Sequence, residues 1–202
     1  MSANTASASL RHRHLEAIVI GGSAGVLDVL RTVLGGLPVS LSIPVLVVVH
    51  LPPRSQMQIH ESMRAATVLP VQLADDKEPL QGGHIYFAPA GYHLLVESNR
   101  CIALSVDEPV HFSRPSIDVL FDSACDVYGP ALLGILLTGA SADGAAGAQC
   151  IHDAGGLVIV QEPSTAEASV MPQSALELFE PNFVAEPAAI AALLATLSQS
   201  SI

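Results

Sequence analysis

The sequence predicts a doubly wound α/β domain with a mostly parallel sheet and an inserted antiparallel meander, and three observations carry that prediction. Apolar runs such as Val45 to Val49 and Ala131 to Leu137 are continuous rather than alternating, as in strands covered on both faces. Stretches with helical periodicity separate them, which is the signature of successive βα units. The 202 residues are half apolar and only 13% charged, enough core for one domain and too few charges for a disordered chain.

Taken in order, the strand expected over Glu16 to Gly22 feeds a helix with Val26, Leu30, Val33, Leu34 and Leu37 on one face, stopped by Gly35-Gly36 and Pro38. Val45 to Val49 follows between Pro44 and Pro52, then a polar helix from about Gln56 to Ala66, then Leu69 to Leu73. The runs His84 to Ala88, Tyr92 to Glu97 and Cys101 to Val106, broken by Pro-Ala-Gly and Ser-Asn-Arg turns, predict the antiparallel meander. Alternation then resumes through Ile117 to Tyr128, Ala131 to Thr138, Asp143 to Ala154, Leu157 to Gln161, Met171 to Phe179 and Pro187 to Leu197. The domain is expected over residues 16–202, with residues 1–15 as a flexible tail.

Composition removes several classes of function. A net charge of −11 repels phosphate backbones and anionic lipid, so no nucleic acid partner is expected. Every apolar run falls well short of the roughly 20 residues that cross a bilayer, which argues against membrane insertion. Met1 to His14 lacks the apolar stretch of a secretory signal, and Cys101, Cys125 and Cys150 form no C-x-x-C pair. They read as reduced, buried thiols of a cytoplasmic protein. Neither a metal nor a cofactor is called for.

In an open parallel sheet, ligands bind beyond the carboxyl ends of the strands. Three polar residues satisfy that rule. Ser23 stands in Gly21-Gly22-Ser23-Ala24-Gly25 after the first strand, His50 ends Val45 to Val49, and Asp143 closes the loop after Ala131 to Leu137. The G-x-S-x-G spacing at a strand-to-helix turn lifts a hydroxyl toward a substrate, and the three together supply a nucleophile, a base and an orienting carboxylate. Each also has a plainer reading: a glycine-rich first turn, a structural histidine, and an N-cap for the helix from Gly144 to Ala154. The order Ser, His, Asp, with the serine after the first strand, departs from the α/β-hydrolase pattern.

Six blocks in order resemble the catalytic domain of the chemotaxis receptor protein-glutamate methylesterases, the CheB family. They are Ile20-Gly-Gly-Ser23-Ala-Gly, Val48-Val-His50-Leu-Pro, Tyr86-Phe-Ala-Pro89, Arg114-Pro-Ser-Ile-Asp118-Val-Leu-Phe, Leu137-Thr-Gly-Ala-Ser-Ala-Asp143-Gly-Ala, and Gln161-Glu up to Met171-Pro. The resemblance implies a Ser23, His50, Asp143 triad, hydrolysis of glutamate γ-methyl esters on chemoreceptor cytoplasmic helices, and deamidation of receptor glutamines. It implies a receptor methyltransferase in the same signalling system. It also implies an oxyanion hole from the backbone N–H groups of Ala24 and Ala140. Where the family often has threonine, methionine and histidine, this chain has Ala24, Ala140 and Ser113. Typical members carry a receiver domain before the catalytic one, so the chain reads as a stand-alone catalytic domain. A catalytically weak adaptor of the same fold and a general carboxylesterase are the alternatives. Among other polar residues, Arg54 and Arg64 read as a steering pair or a solvated helix face, Arg114 as an anchor, and His93 as a pocket or surface residue.

Overall fold

The computed structural model describes residues 13–51 and 59–197. Most of the expected tail, Arg54 and the start of the helix expected from Gln56 lie outside the described residues. The described end of that helix is helical over residues 59–63.

Seven strands form one sheet in the order β3-β4-β2-β1-β7-β8-β9, and every pairing in it is parallel. They are β1 (Ala17–Gly22), β2 (Val45–Val49), β3 (Val71–Leu73), β4 (Ile85–Phe87), β7 (Leu132–Leu136), β8 (Leu157–Gln161) and β9 (Phe183–Ala185). A separate antiparallel hairpin joins β5 (His93–Val96) to β6 (Ile102–Ser105). The helices are α1 (Val26–Gly35), α2 (Ile117–Tyr128), α3 (Ala145–Asp153), α4 (Val170–Leu178) and α5 (Pro187–Leu194).

The continuous apolar runs become strands buried on both faces, as a parallel sheet between two helical layers requires. Along β1, Ile18 and Ile20 pack toward α1 and α5, while Ala17 and Val19 pack toward α2 and α3. Every residue of β1, β2, β7 and β8 is buried. The doubly wound α/β class is therefore the observed one.

Three details differ from the sequence reading. The meander is a two-stranded hairpin, because β4 leaves it for a slot between β3 and β2. Ile85, Tyr86 and Phe87 are all buried, and an exposed meander could not cover both their faces. The short strand β9 closes the far edge, where Pro181 and Pro187 frame a run too brief to show periodicity. Of the three thiols only Cys125 is buried; Cys101 and Cys150 are half-buried, and Cys150 Sγ lies 3.1 Å from Cys125 Sγ between α2 and α3. No described helix is long and apolar enough to cross a membrane.

Gly144 links the sheet to α3 with φ of 96°, and a Cβ there would meet Ile117 Cγ2 and Leu136 Cδ1 at 2.6 Å each. Gly91 has a similar φ of 80° with open space around it. Gly91→Ala should therefore cost the left-handed strain alone, about 1–2 kcal/mol. Gly144→Ala should add overpacking of about 1–3 kcal/mol. Chemical denaturation of the two variants checks the difference.

Candidate active site

β1 is the topological switch point, since β2 and β7 flank it and the chain leaves it in both directions across the sheet. The loops after these three strands must meet over one crevice. Backbone bonds tie them there: Ser23 N–H donates to Thr138 O at 2.9 Å, His50 N–H to Gly22 O at 3.1 Å, and Leu137 N–H to Gly21 O at 2.9 Å. Ser23 is half-buried, and Ala24 and Ala140 are exposed beside it. Gly25 takes a left-handed φ of 75° as the cap of α1. Gly139 is needed for space, because a Cβ there would come within 3.0 Å of Ser23 Cβ and 2.5 Å of Met171 Cε. Among the described residues the Ser23 hydroxyl has no hydrogen-bond partner.

Asp143 is fully buried, and its two oxygens accept three hydrogen bonds and face the His50 ring. Oδ1 accepts from Ser116 Oγ at 2.8 Å and from Asp118 N–H at 3.0 Å, and Oδ2 accepts from Ile117 N–H at 2.7 Å. His50 Nε2 lies 2.7 Å from Oδ2, a close contact that lacks hydrogen-bond geometry. Asp143 does not cap its own helix. Gly144 holds that position without a side-chain bond, and Asp143 instead caps the N-terminus of α2 from across the layer. Burial pushes its carboxyl up, but the His50 contact, the two N–H groups and the Ser116 hydroxyl outweigh that and hold it below the usual carboxylate range.

Ser116, His93, Thr138 and Gln161 complete the setting, and the sequence reading gave none of Ser116, Thr138 or Gln161 a role. Ser116 is the N-cap of α2, fully buried, and its backbone N–H donates to His93 Nδ1 at 3.1 Å. His93 is buried rather than at the surface, with Nε2 at 3.2 Å from Glu108 O. Ser116, His93 and Asp143 thus form a second contiguous serine, histidine and aspartate set, in which the serine hydroxyl is directed to the carboxylate. Thr138 N–H donates to Gln161 Oε1 at 2.9 Å, and its hydroxyl reaches Ala24 O at 2.9 Å. Both side chains are fully buried, so this polar knot pins the Ser23 turn to β8. Ser113 closes a tight turn with Val110 in the loop before α2. Arg114 is an anchor, with Nη1 bonded to Val106 O and Asp107 O, and Arg64 Nε bonds Val71 O.

The CheB methylesterase family profile matches residues 18–194. The chain belongs to the CheB methylesterase family. A putative protein-glutamate methylesterase/protein-glutamine glutaminase of Leptospira interrogans is 42% identical over 187 residues, covering 93% of this chain and 97% of that one. The protein-glutamate methylesterase/protein-glutamine glutaminase of Archaeoglobus fulgidus is 37% identical over 80% of this chain, which spans 47% of its length. The crystal structure of the Thermotoga maritima CheB methylesterase catalytic domain superposes with a TM-score of 0.86 at 28% identity, covering 91% of this chain and 98% of that one. The enzyme class read from the sequence, a protein-glutamate methylesterase, is that of the family.

Beside this CheB-family site lies a second buried acid. Asp118 Oδ1 accepts Gly147 N–H at 2.7 Å and Oδ2 faces His111 Nε2 at 3.3 Å. His111, Asp118 and Asp143 offer ligand atoms within 4.8 Å of one another, the described group most like a metal site. The Asp143 oxygens already accept three hydrogen bonds and crowd against the His50 ring, which suits them poorly to a cation.

Burial pushes the Asp118 carboxyl up to about 6, against the pull of Gly147 N–H and with help from the charges of Asp143 and Asp122. A carboxyl raised in the fold binds more protons there than in the unfolded chain, so its ionisation removes stability as pH rises from about 4 to about 6. Asp118→Asn keeps an acceptor for Gly147 and never ionises. Its thermal midpoint should gain on wild type across that window and hold the gain above it, which a melting series from pH 4 to 8 checks.

Proposed function

We propose that the chain hydrolyses glutamate γ-methyl esters on the cytoplasmic helices of methyl-accepting chemoreceptors, releasing methanol, and deamidates glutamines on the same helices. One observation supports the reading: the Ser23 turn, His50 and Asp143 follow three adjacent parallel strands at one edge of the sheet, and there His50 Nε2 comes within 2.7 Å of the buried Asp143 carboxylate. The names of the Leptospira and Archaeoglobus relatives supply the ester and the amide. The reactions share a tetrahedral step and differ in the leaving group.

With Nε2 turned to Asp143, His50 has Nδ1 for the Ser23 proton. The Ser23 oxygen bonds to the ester carbonyl carbon as His50 takes that proton, and Asp143 fixes the tautomer and stabilises the imidazolium. Backbone N–H groups of Ala24 and Ala140 hold the oxyanion, each such donor worth about 3 kcal/mol. The C–O bond to methoxide breaks as His50 returns the proton, and methanol leaves. Water, deprotonated by the same ring, then splits the acyl-enzyme to a glutamate carboxylate and free Ser23. Ser113, in the loop that enters α2, belongs to the wall of the pocket.

The contiguous Ser116, His93 and Asp143 set favours a second reading, with Ser116 as nucleophile. Three features weigh against it: Ser116 is sealed from solvent, its hydroxyl donates to Asp143, and it meets His93 only through its backbone N–H. Methanol release from a methylated receptor fragment tests both readings. Ser23→Ala should lose at least about 10³-fold, and Asp143→Asn about 10⁴-fold through the wrong tautomer. Ser116→Ala should keep measurable turnover and lose about 2 kcal/mol of stability with its bond to a charged acceptor. Equal release by wild type and Ser23→Ala would overturn the Ser23 assignment.

A further inference from the structure

We propose that Phe112 is a docking hook for the protein substrate, an aromatic contact that grips a receptor helix at the rim while its methyl ester lies over Ser23. The inference rests on the substrate reading above. Phe112 is 103% exposed, the most exposed large apolar side chain among the described residues, so the fold gains no burial from it. Its backbone is costly as well. His111 and Phe112 are the two central residues of a turn closed by Ser113 N–H to Val110 O at 2.9 Å and Val110 N–H to Ser113 O at 3.2 Å. Both have positive φ, 48° and 60°, in a turn that favours Asn-Gly, and a bulky residue there is an outlier. The chain therefore holds a fully solvated phenyl ring on strained backbone, a combination that folding does not explain.

The turn stands on a rigid base. Arg114 Nη1 bonds Val106 O at 2.6 Å and Asp107 O at 2.9 Å, His93 Nε2 lies 3.2 Å from Glu108 O, and His111 Nε2 lies 3.3 Å from Asp118 Oδ2. The backbone N–H of that same Asp118 donates to Asp143. Two contacts in series thus join the turn that carries Phe112 to the carboxylate of the site. Tyr92, next to His93 in the chain, is a second exposed aromatic, at 42%. Aromatic side chains, phenylalanine among them, are enriched in the cores of protein interfaces.

Charge selects the occupant. A chain of net charge −11 repels an acidic helix, but a methylated glutamate is neutral and leaves an apolar methyl on the helix face. An uncharged aromatic contact suits that substrate and does not hold the more acidic product.

The experiment compares wild type, Phe112→Ala and Phe112→Trp on a methylated receptor cytoplasmic fragment and on 4-nitrophenyl acetate. Phe112→Ala should raise KM for the fragment about tenfold, with kcat and small-ester turnover within twofold of wild type and a thermal midpoint no lower. Phe112→Trp should restore the fragment KM. Fragment kinetics of Phe112→Ala within twofold of wild type would overturn the hook and leave the substrate reading intact. Parallel loss on both substrates would also overturn it, by tying Phe112 to the shape of the site. Absence of methanol release by wild type would overturn the substrate reading first and the hook with it.

Discussion

A single buried carboxylate organises this end of the molecule. Removing the ionised Asp143 from water costs several kcal/mol, and only a nearly complete set of donors offsets that cost. The donors come from separate parts of the chain: the hydroxyl of Ser116, the first N–H groups of α2, and the ring of His50 at the end of β2. The N-terminus of α2 adds the positive end of its dipole. Moving α2, β2 or the loop after β7 would strip the carboxylate of a partner. The neighbouring acid, Asp118, takes the Gly147 N–H of α3, and the helices pack closely there: a Cβ at Gly147 would meet Phe121 Cβ at 2.6 Å and Asp118 Oδ1 at 3.2 Å.

The sheet makes that convergence available. Because β1, β2 and β7 run parallel and side by side, their carboxyl ends open on one edge, and three loops distant in sequence become neighbours. Parallel order alone would leave the Ser23 turn free to tilt. The Thr138 hydroxyl and the Gln161 amide, both on buried side chains, prevent this by joining Ala24 O, Thr138 N–H and Thr165 O in one network across the ends of β1, β7 and β8. A half-satisfied network of this kind would cost more than an apolar core, so its bonds tie the turn to the sheet.

Much of this was legible in the sequence, for a physical reason. Burial on both faces imposes continuous apolar runs, so β2 and β8 match the reading to the residue, and α2 matches because its apolar stripe runs unbroken from Ile117 to Tyr128. Local pattern reports that a residue is covered but not by what. Ile85 to Phe87 sits between turns that look like those of a hairpin, and only long-range pairing with Val45 to Val47 draws it into the main sheet. The cap at Asp143 misled in the same way: an aspartate before a helix reads as its own N-cap, while its real partners are 25 to 27 residues back in the chain. The strand-end rule singled out Ser23, His50 and Asp143. Ser116 and Gln161 act through contacts that no local spacing encodes.

The departures at Ala24 and Ala140 fit the proposed substrate, the side of a receptor helix. The proposed oxyanion donors are backbone groups, and their loops are set by bonds that involve neither alanine side chain: Ser23 N–H to Thr138 O, Gly139 N–H to Ala168 O at 2.9 Å, and Met171 N–H to Gly139 O at 2.9 Å. Losing a hydroxyl and a thioether therefore leaves the donors in place and lowers the walls around them. A glutamate side chain projects only a few ångströms from its helix, and the helix with its side chains is about 10–12 Å across. A deep pocket would stop the helix before the ester reached Ser23. Two exposed alanines beside Ser23 suit the proposed helical substrate, and they leave the rim as the place where its binding energy has to be found.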